Sequence, residues 1–497
     1  MESKIRRVEG WQAGVGRIPM LIDGDWVEAA GGWLPVENPA HRGTLAGEVP
    51  RGGEAEVDRA VKAAAAAFGP WKQTPARERG KAFLKLADAL EAEREEFARL
   101  YSIETGNAIA TQSRGETMLT ADLIRYFGGV AGEIKGEVIP LGESLFSYSR
   151  REPLGVVGGI VPWNAPLALA ALKICMALVA GNTLVLKPSV EAPLAVLKLA
   201  ELAHRFLPKG VLNVVTGTGT EAGEALLRHP GLAKLSFTGS TEVGRRVMQA
   251  AAERIIPVSL ELGGKSPQIV FPDADDDATA AQVINGMRFV RQGQSCTAGS
   301  RLLLHASIFD SFLEKLTARL RAFRIGEPLE ETTQIGAIVN ERQYLTVLDY
   351  LREALAQPGA RALCGGLPPA RAPFTEGYFV EPTVLVGVRP DWRVCREEVF
   401  GPVLVALPWS EEAEAVRMAN DTHYGLAAFI YTRDLSRALR TAHAVEAGFV
   451  QVNQGGGIVP GQSYGGFKAS GIGREWSLEG MLDAFTQRKS VTVNLAS

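Results

Sequence analysis

The sequence predicts an α/β fold built on two sheets, with a small exposed β arm. Three observations carry this. Between 155 and 262, short apolar runs alternate with Ala-, Leu- and Glu-rich stretches of helical length, the pattern of a parallel sheet connected by helices. A second series of strands and helices occupies 266–431. Two further segments, 137–152 and 489–495, alternate apolar and polar residues as exposed strands do. At 497 residues, 46% hydrophobic and 22% charged, the chain has an ordinary globular composition, and its length suits about three domains.

Taken in order, 22–38 reads as short β pieces punctuated by Gly24, Gly31, Gly32 and Pro35. The stretches 55–68 and 76–105 carry apolar residues at three-and-four spacing (Phe83, Leu84, Leu86, Ala87, Leu90) and predict amphipathic packing helices, the second stopped by Gly106. A further helix spans about 116–128. The first α/β run places strands at 156–161, 183–186, 211–215, 234–237 and 257–260, with helices at 167–179, 192–206, 221–228 and 242–253. The second places strands at 266–270, 301–304 and 427–431 and helices at 309–323 and 341–354. Such sheets bind ligands at the carboxyl ends of their strands, so the expected active site is the cleft between the two runs.

Several functions are excluded. A net charge of −3 with scattered basic residues leaves no electrostatic footprint for nucleic acid. The longest apolar stretches, 154–160 and 167–185, are short or interrupted by Lys173, Gly181 and Asn182, so no membrane span is expected. The first ten residues, M-E-S-K-I-R-R-V-E-G, lack the apolar core and cleavage site of a secretory signal. Cys175, Cys296, Cys364 and Cys395 show no paired spacing, which fits a reducing, cytoplasmic location. The six histidines are isolated from one another, and no metal is expected.

Three stretches carry chemistry. Met287 to Arg301, M-R-F-V-R-Q-G-Q-S-C-T-A-G-S-R, surrounds Cys296 with small residues (Ser295, Thr297, Ala298, Gly299, Ser300) after a break at Gly293, so a substrate can approach the sulfur closely. A lone cysteine also reads as a buried small hydrophobe. Arg254 to Gln268 carries Glu261 near the end of a β-prone run, before Gly263 and Gly264; the flanking Leu260 and Leu262 predict partial burial, which raises a carboxylate toward the range of a general base. The other reading of Glu261 is a solvated strand-end charge or an ion-pair member. Gly155 to Pro166 runs from an apolar strand into P-W-N-A-P, holding Asn164 between prolines, where its amide either donates to a developing oxyanion or caps a turn. For the cofactor, Gly239 to Gly244 (G-S-T-E-V-G) follows a strand and opens a helix, so its N–H groups suit a pyrophosphate. Gly217, Gly219 and Gly223 miss the usual dinucleotide spacing.

W-N between prolines, L-E-L-G-G-K and G-Q-S-C-T-A-G-S-R, in this order, resemble the aldehyde dehydrogenase superfamily. Lys187-Pro188-Ser189, F-T-G-S-T-E-V-G (237–244), E-E-V-F-G-P (397–402) and Y-G-G-F-K-A-S-G-I-G-R-E (464–475) resemble it too, so the likeness runs from about Ile22 to Val493. The resemblance implies a Rossmann-like cofactor domain (1–130 and 152–263), an α/β catalytic domain (264–465) and an oligomerisation arm (131–151 and 480–497) that makes a homodimer or homotetramer. It implies NAD(P)-dependent oxidation of an aldehyde to the acid in the hydrolytic branch, with Cys296 as nucleophile, its thiol pKa lowered by nearby dipoles and the cofactor ring. Asn164 is then the oxyanion donor, Glu261 the base, and Lys173 and Glu475 relay its proton. Lys173 also reads as a structural helix lysine. Cofactor residues implied are Trp163, Lys187, Ser189, Gly239, Ser240, Gly244, Glu398 and Phe400. Val190 stands where NAD-preferring members carry an acid, with Glu191 one place later, so NAD is expected and NADP possible. The pocket, from Ala165, Leu169, Ser295, Thr297, Ile458 and Tyr464, is expected to take a medium-chain aliphatic or aromatic aldehyde, with semialdehydes or betaine aldehyde as alternatives. Arg291 reads as a structural residue or as an anchor for a substrate carboxylate. Two readings from other classes are a thiol hydrolase and a catalytically idle family member.

Overall fold

The computed structural model describes residues 16–496; the reading of the first ten residues lies outside the described residues. Strands β1 (Met20–Ile22), β2 (Asp25–Val27), β3 (Trp33–Glu37) and β4 (Leu45–Pro50) open the chain. Helices α1 (Glu54–Gln73), α2 (Ala76–Ala92), α3 (Arg94–Thr105) and α4 (Arg114–Val130) follow. The helix predicted over 76–105 is thus interrupted at Glu93 (φ −99°, ψ 15°), whose carboxylate pairs with Lys198 at 3.3 Å and Arg205 at 2.9 Å. Tertiary charge pairing overrides an unbroken helical pattern there. Gly106 ends α3 in the left-handed conformation (φ 74°), as its place in the sequence predicts.

Next come β5 (Val138–Pro140) and β6 (Leu145–Pro153), then the first α/β run: β7 (Val156–Ile160), α5 (Pro166–Val179), β8 (Thr183–Lys187), α6 (Leu194–His204), β9 (Leu212–Val214), α7 (Glu224–Arg228), β10 (Lys234–Thr238), α8 (Thr241–Ala252) and β11 (Val258–Glu261). The second run holds β12 (Pro267–Val270), α9 (Asp277–Gly286), β13 (Arg301–His305), α10 (Phe309–Arg321), α11 (Glu341–Leu355), β14 (Arg361–Cys364), β15 (Thr383–Val386), β16 (Val403–Trp409), β17 (Ala427–Tyr431) and β18 (Phe449–Val452). Strands β19 (Gly471–Ile472) and β20 (Thr486–Asn494) flank a last helix, Leu478–Phe485.

Two large sheets result. The first has the order β19-β11-β10-β7-β8-β9-β1-β2, parallel from β11 to β9. The second has the order β14-β15-β16-β13-β12-β17-β18, parallel except for β14. Their strands are buried on both faces, which is why they read as continuous apolar runs. A third sheet, β20-β6-β5, pairs the C-terminal tail with the 137–152 hairpin. The segment 480–497 opens with the end of the last helix and pairs with β6 only from Thr486.

Candidate active site

Residues far apart in sequence converge on a cavity of about 350 Å³. Strand β7 cannot run on through Pro162, and Pro166, lacking an N–H, starts α5 at its first turn, so Asn164 is fixed in the loop between them. Asn164 is buried and its Nδ2 donates to the Gln294 carbonyl at 3.2 Å. Its second N–H remains for a ligand. Glu261 ends β11 in register with Thr238 of β10, and both line the cavity. Neither Glu261 oxygen has a hydrogen-bond partner among the described residues, and burial, then the nearby Glu475, pushes its pKa well above the carboxylate range.

Cys296 sits on a strained loop. Arg288 (φ 59°), Gln292 (φ 52°) and Gly293 (φ 64°) all occupy the left-handed region within six residues, a cost tolerated where a side chain must be aimed. A Cβ at Gly293 would lie 2.1 Å from the Gly401 carbonyl, and one at Gly264 would lie 2.6 Å from the Cys296 carbonyl. Glycine is required at both places by close backbone approach. Tyr464 Oη lies 3.4 Å from Cys296 Sγ. Burial pushes the Cys296 thiol up to about 11, against the opposing hydrogen bond from Tyr464 and the charge of Arg291. Desolvation outweighs that hydrogen bond and the nearby cation.

Behind Glu261 lies a buried ion pair. Helix α5 is apolar all round and almost wholly buried, so Lys173 within it needs a partner. That partner is Glu475, whose Oε1 receives Lys173 Nζ with both side chains fully buried; Ser236 Oγ lies 3.5 Å from the same oxygen. Glu475 also reaches the cavity wall. Replacing one member leaves a buried charge uncompensated, so Lys173→Met is expected to destabilise the fold by about 3–5 kcal/mol. Thermal unfolding checks this, and Lys173→Met combined with Glu475→Gln should recover part of the loss.

Ala165, Leu169, Ser295, Thr297, Ile458 and Tyr464 line the same cavity, as the sequence reading expects. Several lining residues escaped that reading. Glu116 of α4, a helix given no site in the sequence reading, pairs with Arg291 and lines the cavity; a glutamate on the core-facing side of an amphipathic helix is the signal that marks it. Arg288 donates to the Gly455 and Gly456 carbonyls. Thr238, Gln112, Leu119 and Trp476 complete much of the wall.

The other expected residues lie outside this cavity. Gly239 donates to the Glu261 carbonyl at 3.0 Å, Ser240 caps α8 by accepting from Val243 N–H, and a Cβ at Gly244 would lie 2.5 Å from Leu262. Helix α8 therefore packs closely on the sheet with its N-terminus open beside the end of β10, a geometry suited to a phosphate. At the end of β8, Lys187 Nζ donates to the Pro188 carbonyl at 2.9 Å, and burial lowers its pKa to about 8. Ser189 donates to Glu191, whose carboxylate also lies 3.4 Å from Arg342. Glu398 accepts from Gly264 N–H at 3.0 Å, and a Cβ at Gly263 would lie 2.2 Å from its other oxygen. Burial raises the Glu398 pKa to about 7. Trp163 and Phe400 meet edge to face, ring centres 5.2 Å apart. Among the described residues, no group of three or more His, Cys, Asp or Glu is placed to hold a metal ion.

The aldehyde dehydrogenase family model matches residues 26–491. The chain belongs to the aldehyde dehydrogenase family. It is 42% identical over 506 residues to phenylacetaldehyde dehydrogenase of Pseudomonas fluorescens, covering 99% of this chain and 98% of that one. It is 40% identical over 478 residues to hydroxyisobutyraldehyde dehydrogenase of Mycolicibacterium austroafricanum, covering 96% and 94%. Two solved structures, PnpE in complex with nicotinamide adenine dinucleotide and PnpE from Pseudomonas sp. WBC-3, each superpose with a TM-score of 0.94 at 42% identity, covering 97% of this chain and 98% of that one. The fold of the chain is that of the PnpE structures.

Proposed function

We propose that this aldehyde dehydrogenase uses NAD to oxidise a medium-chain aliphatic or aromatic aldehyde to the carboxylic acid. The observation that carries the reading is the convergence of Cys296, Asn164 and Glu261 on one cavity. Cys296 attacks the carbonyl carbon as thiolate, and the free N–H of Asn164 holds the resulting oxyanion. Bound NAD supplies the hydride acceptor. The thioester left on Cys296 is hydrolysed by a water whose proton Glu261 takes, with Glu475 and Lys173 behind it to receive or order that proton. Glu261 distinguishes this outcome from acyl transfer to a thiol cofactor, which needs no such base.

The residues present fit the cofactor. The open N-terminus of α8 with Gly239, Ser240 and Gly244 suits the pyrophosphate, Lys187 and Ser189 the adenosine ribose, Glu398 the nicotinamide ribose, and Trp163 with Phe400 the nicotinamide. Glu191 beside Ser189 disfavours a 2′-phosphate, so NAD is preferred over NADP. Residues 16–130 and 152–263 form the cofactor domain with β19, 264–465 the catalytic domain, and 131–151 with 486–494 the arm. The arm exposes Val138, Ile139, Leu141, Phe146 and Val493, consistent with a homodimer or homotetramer. Four free cysteines fit the cytoplasm.

Ala165, Ala168, Leu169, Val290 and Ile458 give the cavity an apolar wall. Arg291 is compensated by Glu116, which favours its structural reading over a carboxylate anchor. The test is reduced-nicotinamide formation by purified protein with phenylacetaldehyde, hexanal, succinic semialdehyde and betaine aldehyde, each with NAD and NADP. Turnover is expected with the first two and to be faster with NAD. Turnover confined to the charged aldehydes would overturn the substrate class.

A further inference from the structure

We propose that Tyr464 is a further catalytic residue, a hydroxyl donor that stabilises the Cys296 thiolate both before attack and as it leaves the thioester. Tyr464 is 4% exposed, and a buried hydroxyl needs a partner. The hydrogen bond recorded for it runs to Cys296 Sγ at 3.4 Å. Once the sulfur is ionised it has no proton to give, so the phenol is the donor. Burial holds the phenol pKa well above its usual value, which keeps that proton in place across the range where the enzyme works.

The surroundings hold the contact in register. Tyr464 N–H donates to the Glu475 carbonyl at 3.1 Å and Glu475 N–H to the Tyr464 carbonyl at 2.8 Å, an isolated antiparallel bridge. One two-residue ladder therefore couples the position of the thiol's partner to that of the relay carboxylate. Phe449 packs edge-on against the Tyr464 ring, centres 5.6 Å apart. Around the sulfur, Glu398 and Glu261 oppose ionisation and Arg291 favours it, with Arg288 adding a second cation. Among these, Tyr464 alone reaches the sulfur as a recorded hydrogen-bond partner.

The electron bookkeeping is simple. In attack, the thiolate lone pair forms the carbon–sulfur bond as the carbonyl π pair moves onto oxygen, and the phenol keeps its proton. In hydrolysis, the water oxygen bonds to the acyl carbon, the carbon–sulfur bond breaks with its electron pair returning to sulfur, and the same O–H donates to the re-formed thiolate without giving up its proton.

The proposal rests on the thiol reading of Cys296 but is tested without aldehyde or cofactor. The probe is iodoacetamide, with alkylation of the Cys296 peptide followed by mass spectrometry across the alkaline range. In Tyr464→Phe the midpoint of the rate profile is expected to lie about one to two pH units above wild type, making alkylation about 10- to 100-fold slower below both midpoints. Incorporation of 3-fluorotyrosine at 464, close in shape with a more acidic O–H, is expected to move the midpoint down. An unchanged midpoint in both variants, or a uniformly scaled rate in Tyr464→Phe, overturns the proposal by showing that the ring acts through packing. Neither result bears on whether aldehydes are oxidised.

Discussion

Glu261→Gln should leave a burst of about one reduced nicotinamide per active site while lowering steady-state turnover about 10²- to 10⁴-fold, the usual contribution of a positioned general base. The two phases separate because attack and hydride loss need the thiol and oxyanion donor, whereas hydrolysis needs the carboxylate. Burial and the neighbouring Glu475 hold Glu261 protonated well above the ordinary carboxylate range. The base form therefore accumulates as pH rises, and wild-type turnover should climb along an acid limb displaced upward from that range. In Glu261→Gln that limb should vanish from the residual hydrolysis. Stopped-flow absorbance over a pH series checks both points. Equal losses of burst and steady state would move Glu261 out of the hydrolytic step.

Cys296→Ala should abolish reduced-nicotinamide formation while leaving NAD binding unchanged, because the thiol lies on the cavity and the expected cofactor residues lie outside it. Calorimetric NAD titration alongside the activity assay checks both. This pairing separates the dehydrogenase reading from its two rivals. A thiol hydrolase would lose ester hydrolysis in the variant without ever having reduced NAD, and an idle member would be indifferent to it.

Much of this arrangement was legible in the sequence where chemistry constrains the local chain. Pro162 and Pro166 bracket Asn164, Glu261 ends its strand, and Gly263 and Gly264 now have a specific cause in the approach of Glu398 and the Cys296 carbonyl. The interruption at Glu93 was illegible because its cause lies on α6 and just beyond it, about a hundred residues away. Glu116 was missed because helical periodicity marks which face is buried and says nothing of which buried side chain opens onto a cavity. The strand β19 returns to the first sheet from position 471, a long-range pairing that two residues cannot announce.

The central claim is a covalent acyl intermediate on Cys296 that Glu261 clears. Mass spectrometry of Glu261→Gln quenched after mixing with NAD and phenylacetaldehyde tests it most directly. A stable addition of the phenylacetyl group is expected on the peptide containing Cys296, absent without NAD. Reduced nicotinamide formed with no acyl adduct on that peptide would contradict it.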